Sequence, residues 1–274
     1  MKELSICNFH LMKNKYHLRW YICILYTMNI LVISDNQYLL ERFDELLLTK
    51  DLYNLYQWDF ACSASNKALQ ESGILLTDEL MTVDVKKEWE TLSDNYDLIF
   101  SLHCKQLFPA ELVEAVKCIN IHPGFNPYNR GWYPQVFSIL NKKKAGATIH
   151  EIDNELDHGP IIAQKEVTIN KWDTSLSAYN KILEAELELL DEYLEKIISG
   201  NYTTQIPSEE GNLNLKKDFN TLTKIDLSKV VSFNDAIDFL RAMTHGSYNN
   251  AWFIDPESGK KIFVSINLKT EDII

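Results

Sequence analysis

Arginine is nearly missing from this chain. Four occur in 274 residues (Arg19, Arg42, Arg130 and Arg241), so a planar cation that grips an anion has few places to stand. Positive charge is scarce in general: 27 Lys and Arg face 39 Asp and Glu, a formal net charge of −12. That balance excludes binding to duplex DNA or to an anionic membrane by bulk electrostatics, and an anionic small molecule would need local cations. Cysteine is sparse too. Cys7, Cys23, Cys62, Cys104 and Cys118 are odd in number, and none forms a C-x-x-C pair. Neither a disulfide framework nor a zinc knuckle follows, and buried, reduced thiols in a cytoplasmic protein are expected. No internal repeat and no low-complexity tract is present.

Long hydrophobic runs are also lacking. The closest candidate, "WYICILYTMNILVI" from Trp20 to Ile33, follows Lys13, Lys15 and Arg19 but is broken by Thr27 and Asn29. It falls short of the roughly 20 residues a membrane span needs, and no small-residue cleavage site follows. Residues 1–27 therefore read as an upstream extension, with an N-terminal anchor as the alternative.

What is present reads as a globular α/β domain: 46% of residues are hydrophobic and 24% charged. "NILVIS" (Asn29–Ser34) is a buried strand feeding a loop and the helical segment "YLLERFDELLLTK". "WDFACS", "YDLIFSLHC" and "CINIHP" repeat the strand pattern, and "LFPAELVEAVK" opens a helix near Pro109. Alternating strands and helices predict a Rossmann-like, doubly wound, mainly parallel sheet, whose ligands sit beyond the carboxyl ends of the strands. A helix after Pro134, the strands "AGATIHEID" and "GPIIAQKEVTI", and a long helix ending at Gly200 complete a catalytic domain over 28–200. In that helix Leu176, Tyr179, Leu183, Leu187, Leu190, Leu194 and Ile197 form an apolar stripe. A polar loop then leads to a small C-terminal region, 201–274, with a helix over Ser232–Met243 and a β-hairpin.

The chemistry concentrates in "INIHPGFNPYNRGWYPQ", residues 119–135. Asn120 and His122 stand two apart on a strand and project from one face. An amide there can donate to a developing oxyanion while the imidazole moves a proton. Asp157, in "LDHGP", can orient and charge-tune that histidine. No Ser or Cys adjoins the histidine, so direct acyl transfer to an external nucleophile is the implied reaction. His150 and His158 with Glu151 and Asp157 fit no standard ligand spacing, and no metal is expected. His103 and Cys104 at a strand end either touch a ligand or fill space.

Asn120-Ile121-His122 with the distant Asp157-His158-Gly159 resembles the folate-dependent formyltransferases over roughly Met28 to Phe253. Methionyl-tRNA formyltransferases read His-Gly-Ser-Leu-Leu-Pro after the asparagine. Here "HPGFNPYNRGWYPQ" and "SLHCKQLFP" are similar instead to the sugar N-formyltransferases. The resemblance implies transfer from N10-formyltetrahydrofolate to the amine of a dTDP-linked 4-amino-4,6-dideoxyhexose, for O-antigen or other surface polysaccharide, by a cytoplasmic homodimer. A 3-amino sugar is the runner-up acceptor. By that analogy Asn120 stabilises the oxyanion, while His122 and Asp157 manage the proton of the attacking amine. Lys105, Arg130 and Arg241 are candidates for the diphosphate; Tyr128, Asn129, Trp132 and Tyr133 are candidates for the sugar and base. Phe108, Ile149, Glu151, Ile152 and Asp153 are assigned to the folate pocket by the same resemblance. A tRNA substrate agrees poorly with the acidic balance, a purine-pathway acceptor with the loop, and a mere binding module with the triad.

Overall fold

A computed structural model describes residues 27–74 and 76–272. The expectation for residues 1–27 falls, Thr27 apart, outside the described residues. The chain enters the sheet at β1 (Asn29–Ser34), whose Asn36 side chain then caps α1 (Gln37–Thr49) by accepting from the Leu39 N–H at 3.1 Å. Next come β2 (Gln57–Ser63), α2 (Lys67–Gln70), β3 (Leu80–Val83), α3 (Trp89–Asn95), β4 (Leu98–Leu102), α4 (Ala110–Ala115) and β5 (Lys117–His122). A two-residue strand β6 (Arg130–Gly131), α5 (Pro134–Asn141), β7 (Ala145–Glu151), β8 (Ile161–Val167) and the long α6 (Ser175–Ile198) follow. The C-terminal region holds β9 (Leu213–Asn214), α7 (Lys216–Leu222), α8 (Phe233–Met243), the short β10 (Thr244–His245) and β11 (Tyr248–Asn249), and the hairpin β12 (Ala251–Ile254) with β13 (Lys261–Val264).

Seven strands form one sheet in the order β3-β2-β1-β4-β5-β7-β8. The first five neighbours pair in parallel, as the βα alternation predicts. β7 and β8 run antiparallel, because α5 packs against α6 and α8 and does not cross back along a sheet face. The reversal sets the register that matters: His122 lies opposite Thr148, and Asn120 opposite His150. β3 and the short helices α2 and α3 escape sequence reading, since each is too brief for a period to show.

Both sheet faces are buried, which explains why β1 reads as an unbroken apolar run. Ile30 and Val32 face Phe43, Phe100 and the α6 residues Leu190 and Leu194. Leu31 and Ile33 face Leu92, Leu112 and Val116. A third apolar cluster joins Val136 and Ile139 of α5 to Phe219, Ala242, Met243 and Ala251. It fastens the C-terminal elements to α5. No described helix is long and apolar enough to cross a membrane.

The chain after α6 folds back on the β5–β7 connection. β9 pairs with β6, Arg130 N–H donates to Asn212 O at 3.0 Å, and Trp132 N–H donates to Asn214 O at 2.8 Å.

Candidate active site

β5 carries Asn120 and His122 to its carboxyl end, where the loop before β8 delivers Asp157. Asn120 Nδ2 donates to Asp157 Oδ1 at 2.9 Å, and His122 Nδ1 lies 3.4 Å from Asp157 Oδ2. The Gly131 N–H donates to the same oxygen at 3.0 Å, and Asn126 Nδ2 donates to the Asp157 carbonyl at 2.8 Å. Asp157 itself sits at φ 49°, a left-handed conformation that surrounding bonds must enforce. His103, Asn129 and Tyr133 share that region, each at φ 54°, so backbone strain gathers around this end of the sheet.

His150 completes the cluster. Its Nδ1 lies 2.7 Å from the Glu151 carbonyl, which can only accept, so Nδ1 carries the proton and Nε2 is an acceptor. Asn120 Nδ2 donates to that Nε2 at 3.1 Å. Both amide hydrogens of Asn120 are thus engaged, one by Asp157 and one by His150. Thr148, opposite His122, donates to Gly124 O at 2.6 Å and accepts from Asn126 N–H and Gln164 Nε2, which pins the loop over the histidine.

Electrostatics divide the pair. Burial pushes His122 down to about 4, and the Asp157 charge that pulls the other way does not overcome it. Burial would raise Asp157, but the His122 and His150 imidazoles and the Gly131 N–H outweigh it and hold the carboxyl at about 2. At neutral pH the site holds a neutral imidazole against an ionised carboxylate. His122 Nε2 is buried, with no hydrogen-bond partner among the described residues.

The remaining sequence candidates scatter. Arg130 is buried beside this cluster, and its charge is felt at His122. Arg241 is instead bound inward: it donates to Asp238 Oδ1 at 2.6 Å and to the carbonyls of Asn170 and Asp173 at 3.0 and 2.8 Å. Its Nε and Nη1 tie α8 to the loop before α6, and the side chain is buried within the fold, which speaks against the diphosphate contact expected of it. Asn129 is fully buried among Ser138, Asn141, Asn212 and Asn214, so it braces the loop and does not face a ligand. Tyr128 bonds Glu209, Tyr133 packs at 4.3 Å on Phe219, and Trp132 is half-buried beneath Lys216. Lys105 is exposed, with its backbone N–H held by Asp35 at 2.8 Å.

The five folate candidates also divide. Phe108 and Ile152 pack on one sheet face, whereas Ile149 is fully buried on the other, opposite Ile121. Ile149 is core, because strand alternation points it away from that pair. Glu151 is bound by Lys117 and Tyr202 at the far end of β5, and Asp153 pairs with His158. His150, Gly124, Asn126 and Thr148 went unassigned in the sequence. The antiparallel register of β5 and β7 brings His150 and Thr148 to the pair, and Thr148 in turn holds Gly124 and Asn126 of the loop that follows His122. The buried acid Glu186 was likewise hidden on the α6 stripe; both its carboxylate oxygens lie within 2.9 Å of His103 Nε2.

Residues 65–194 match the family described as formyl transferase, and residues 218–270 match the N-formyltransferase dimerization C-terminal domain. The chain is 52% identical over 188 residues to a dTDP-4-amino-4,6-dideoxyglucose formyltransferase of Mycobacterium tuberculosis, a match covering 69% of this chain and 80% of that one. A sugar N-formyltransferase structure from a Shewanella species superposes with a TM-score of 0.84 at 40% identity, covering 90% of this chain and 100% of that one. A 4-N formyltransferase structure from Francisella tularensis gives 0.83 at 45% identity, covering 89% and 99%.

Proposed function

Because this chain belongs to the formyltransferase family, in its sugar N-formyltransferase branch, we propose that it formylates the C4 amine of dTDP-4-amino-4,6-dideoxyglucose. N10-formyltetrahydrofolate would be the donor, supplying the activated carbonyl carbon. The observation that carries this reading is the convergence of Asn120, His122 and Asp157 at the carboxyl end of β5, in a chain half identical to an enzyme of that name.

The geometry supports a division of labour. His122, kept neutral by burial, is free to take a proton from the attacking amine. Asp157, kept ionised, stabilises the imidazolium that forms and holds the ring by Nδ1. Asn120 and His150 hold Asp157 in place through the shared amide. Trp132 and Tyr128 are the aromatic surfaces left for the acceptor, and Lys105 is an exposed cation at the same edge of the sheet.

The catalytic unit extends on this reading from β1 through β9, with the C-terminal region from α7 onward as an assembly module. A homodimer is built there. Val230 and Phe233, 96% and 90% exposed, lie with Ile262 and Phe263 among the exposed apolar residues of the segment that matches a dimerization domain. The described cysteines Cys62, Cys104 and Cys118 are free thiols, in keeping with a cytoplasmic enzyme.

The test is turnover. Protein is mixed with N10-formyltetrahydrofolate and dTDP-linked 3- and 4-amino sugars, and tetrahydrofolate release and product mass are followed. A gain of one formyl group on the 4-amino sugar is expected. Formylation of the 3-amino sugar alone would move the acceptor carbon, and no turnover with either would overturn the reading.

A further inference from the structure

Asp157 reaches His122 from a backbone conformation that an aspartate does not hold by itself. At φ 49° its Cβ crowds the carbonyl that follows, and a relaxed φ would swing the carboxylate to a new direction. The carboxylate oxygens are held by Asn120 Nδ2 and the Gly131 N–H, but the backbone that aims them is held from elsewhere. Asn126 Nδ2 donates to the Asp157 carbonyl at 2.8 Å. Asn126 is itself fixed on both flanks: its N–H donates to Thr148 Oγ1 at 3.1 Å, and Gln164 Nε2 donates to its carbonyl at 2.7 Å. Thr148 and Gln164 lie on β7 and β8, so the sheet, and not the loop alone, sets where that amide stands.

The other end of the same amide is left over. Asn126 is 2% exposed, and its Oδ1 is buried with no hydrogen-bond partner among the described residues. A buried acceptor without a donor costs stability, and a leucine of about the same shape would carry no such cost. An asparagine here is therefore a poor brace for the fold, and its one side-chain bond among the described residues goes to the Asp157 carbonyl. Resting on the proposed formyl transfer, we propose that Asn126 is a positioning residue, which keeps the Asp157 backbone left-handed so that the carboxylate meets His122 Nδ1. It acts through Asp157 and not on the reacting atoms. Stability and activity are then opposed at a single side chain.

The experiment compares wild type, Asn126→Leu and Asn126→Ala in the full chain, each alone and combined with Asp157→Ala. It measures kcat and KM with the 4-amino sugar, single-turnover rates for the weakest variants, and melting temperature. Asn126→Leu is expected to lower kcat about 10–100-fold, the loss that follows a displacement near 1 Å, with KM for both substrates within about threefold. Its melting temperature should equal or exceed that of wild type, because the orphaned oxygen is gone and apolar contact is added. In the Asp157→Ala background the same substitution should change kcat by less than about twofold, since a residue acting through Asp157 has nothing left to aim. Asn126→Ala should repeat both kinetic results at a lower melting temperature, and it decides the matter where leucine overfills the site. Wild-type kcat in both Asn126 variants would overturn the assignment. So would a raised acceptor KM with kcat unchanged, which would make the amide a substrate contact, or an equal loss in the Asp157→Ala background, which would make it a brace of the whole site. A wild type inactive toward every amino sugar would defeat the formyl-transfer reading and this inference with it, whereas an active wild type with indifferent variants defeats only this inference.

Discussion

His122 is 4% exposed, and Gly124 shows how tightly the chain closes over it. A Cβ built on Gly124 would lie 2.4 Å from His122 Nε2 and 2.7 Å from Cδ2, so no side chain fits there unless the ring moves. Gly124→Ala should displace the imidazole from Asp157 and lower kcat at least about tenfold, a 1 Å misplacement being enough for such a loss. Steady-state kinetics beside a melting curve checks this, and unchanged kcat would contradict it. His122→Asn should cost about 10²–10⁴ in kcat as the proton carrier is removed. It should also alter the acid limb of stability. The folded imidazole titrates at about 4, below its unfolded value near 6.5, so between those pH values the unfolded chain binds more protons. Wild type should therefore lose stability as pH falls from about 6.5 to about 4, at up to roughly 1.4 kcal/mol per pH unit, and show no further loss from this group below that. Urea melts across that window should show this slope in wild type and a shallower one in His122→Asn. Asn120 and His122 were legible as a pair because strand alternation puts them on one face, while Asp157 was joined to them by the resemblance of its Asp-x-Gly loop. His150 was not, since its place depends on which residue of β7 faces Asn120. Arg241 misled for the opposite reason: it stands at the end of α8, where its sequence position does not show the partners that packing gives it.

At the scale of elements, the βα alternation revealed four of the five parallel strands, all but β3, while the direction of β7 was hidden in the path of α5. The seam of β6 on β9 was equally illegible, because two residues have no period and their partners stand more than eighty positions apart. Gly211 makes the seam feasible. It sits at φ +73°, and a Cβ there would meet the Pro127 carbonyl oxygen at 1.9 Å. Gly211→Ala should loosen β9 while the main sheet persists. Hydrogen exchange at the Arg130 and Trp132 amides, which donate to Asn212 and Asn214, should speed up, and activity should fall with it. Unaltered exchange at those two amides would count against the seam as the support of the site.

For the whole molecule, charge and assembly act together. A net charge of −12 keeps copies apart in general, so a stable pair needs an apolar face where that repulsion is overcome. Phe233, 90% exposed, belongs to the face proposed for the homodimer, and on that proposal Phe233→Glu should shift sedimentation toward the monomer while leaving the sheet core, which it does not join, at its wild-type melting temperature. A dimer that survives this change would place the interface elsewhere. The seam also bears on how such enzymes can exchange parts. The composition shift after α6 suggests a cut near residue 200, yet β9 at 213–214 belongs structurally to the loop that holds Asp157. A hybrid joined near 200 would lay a foreign strand against its own β6, whereas one joined after Asn214 would carry the native pair intact. The recombination boundary of this chain thus falls inside a stretch that looks, by composition, like the linker's far side.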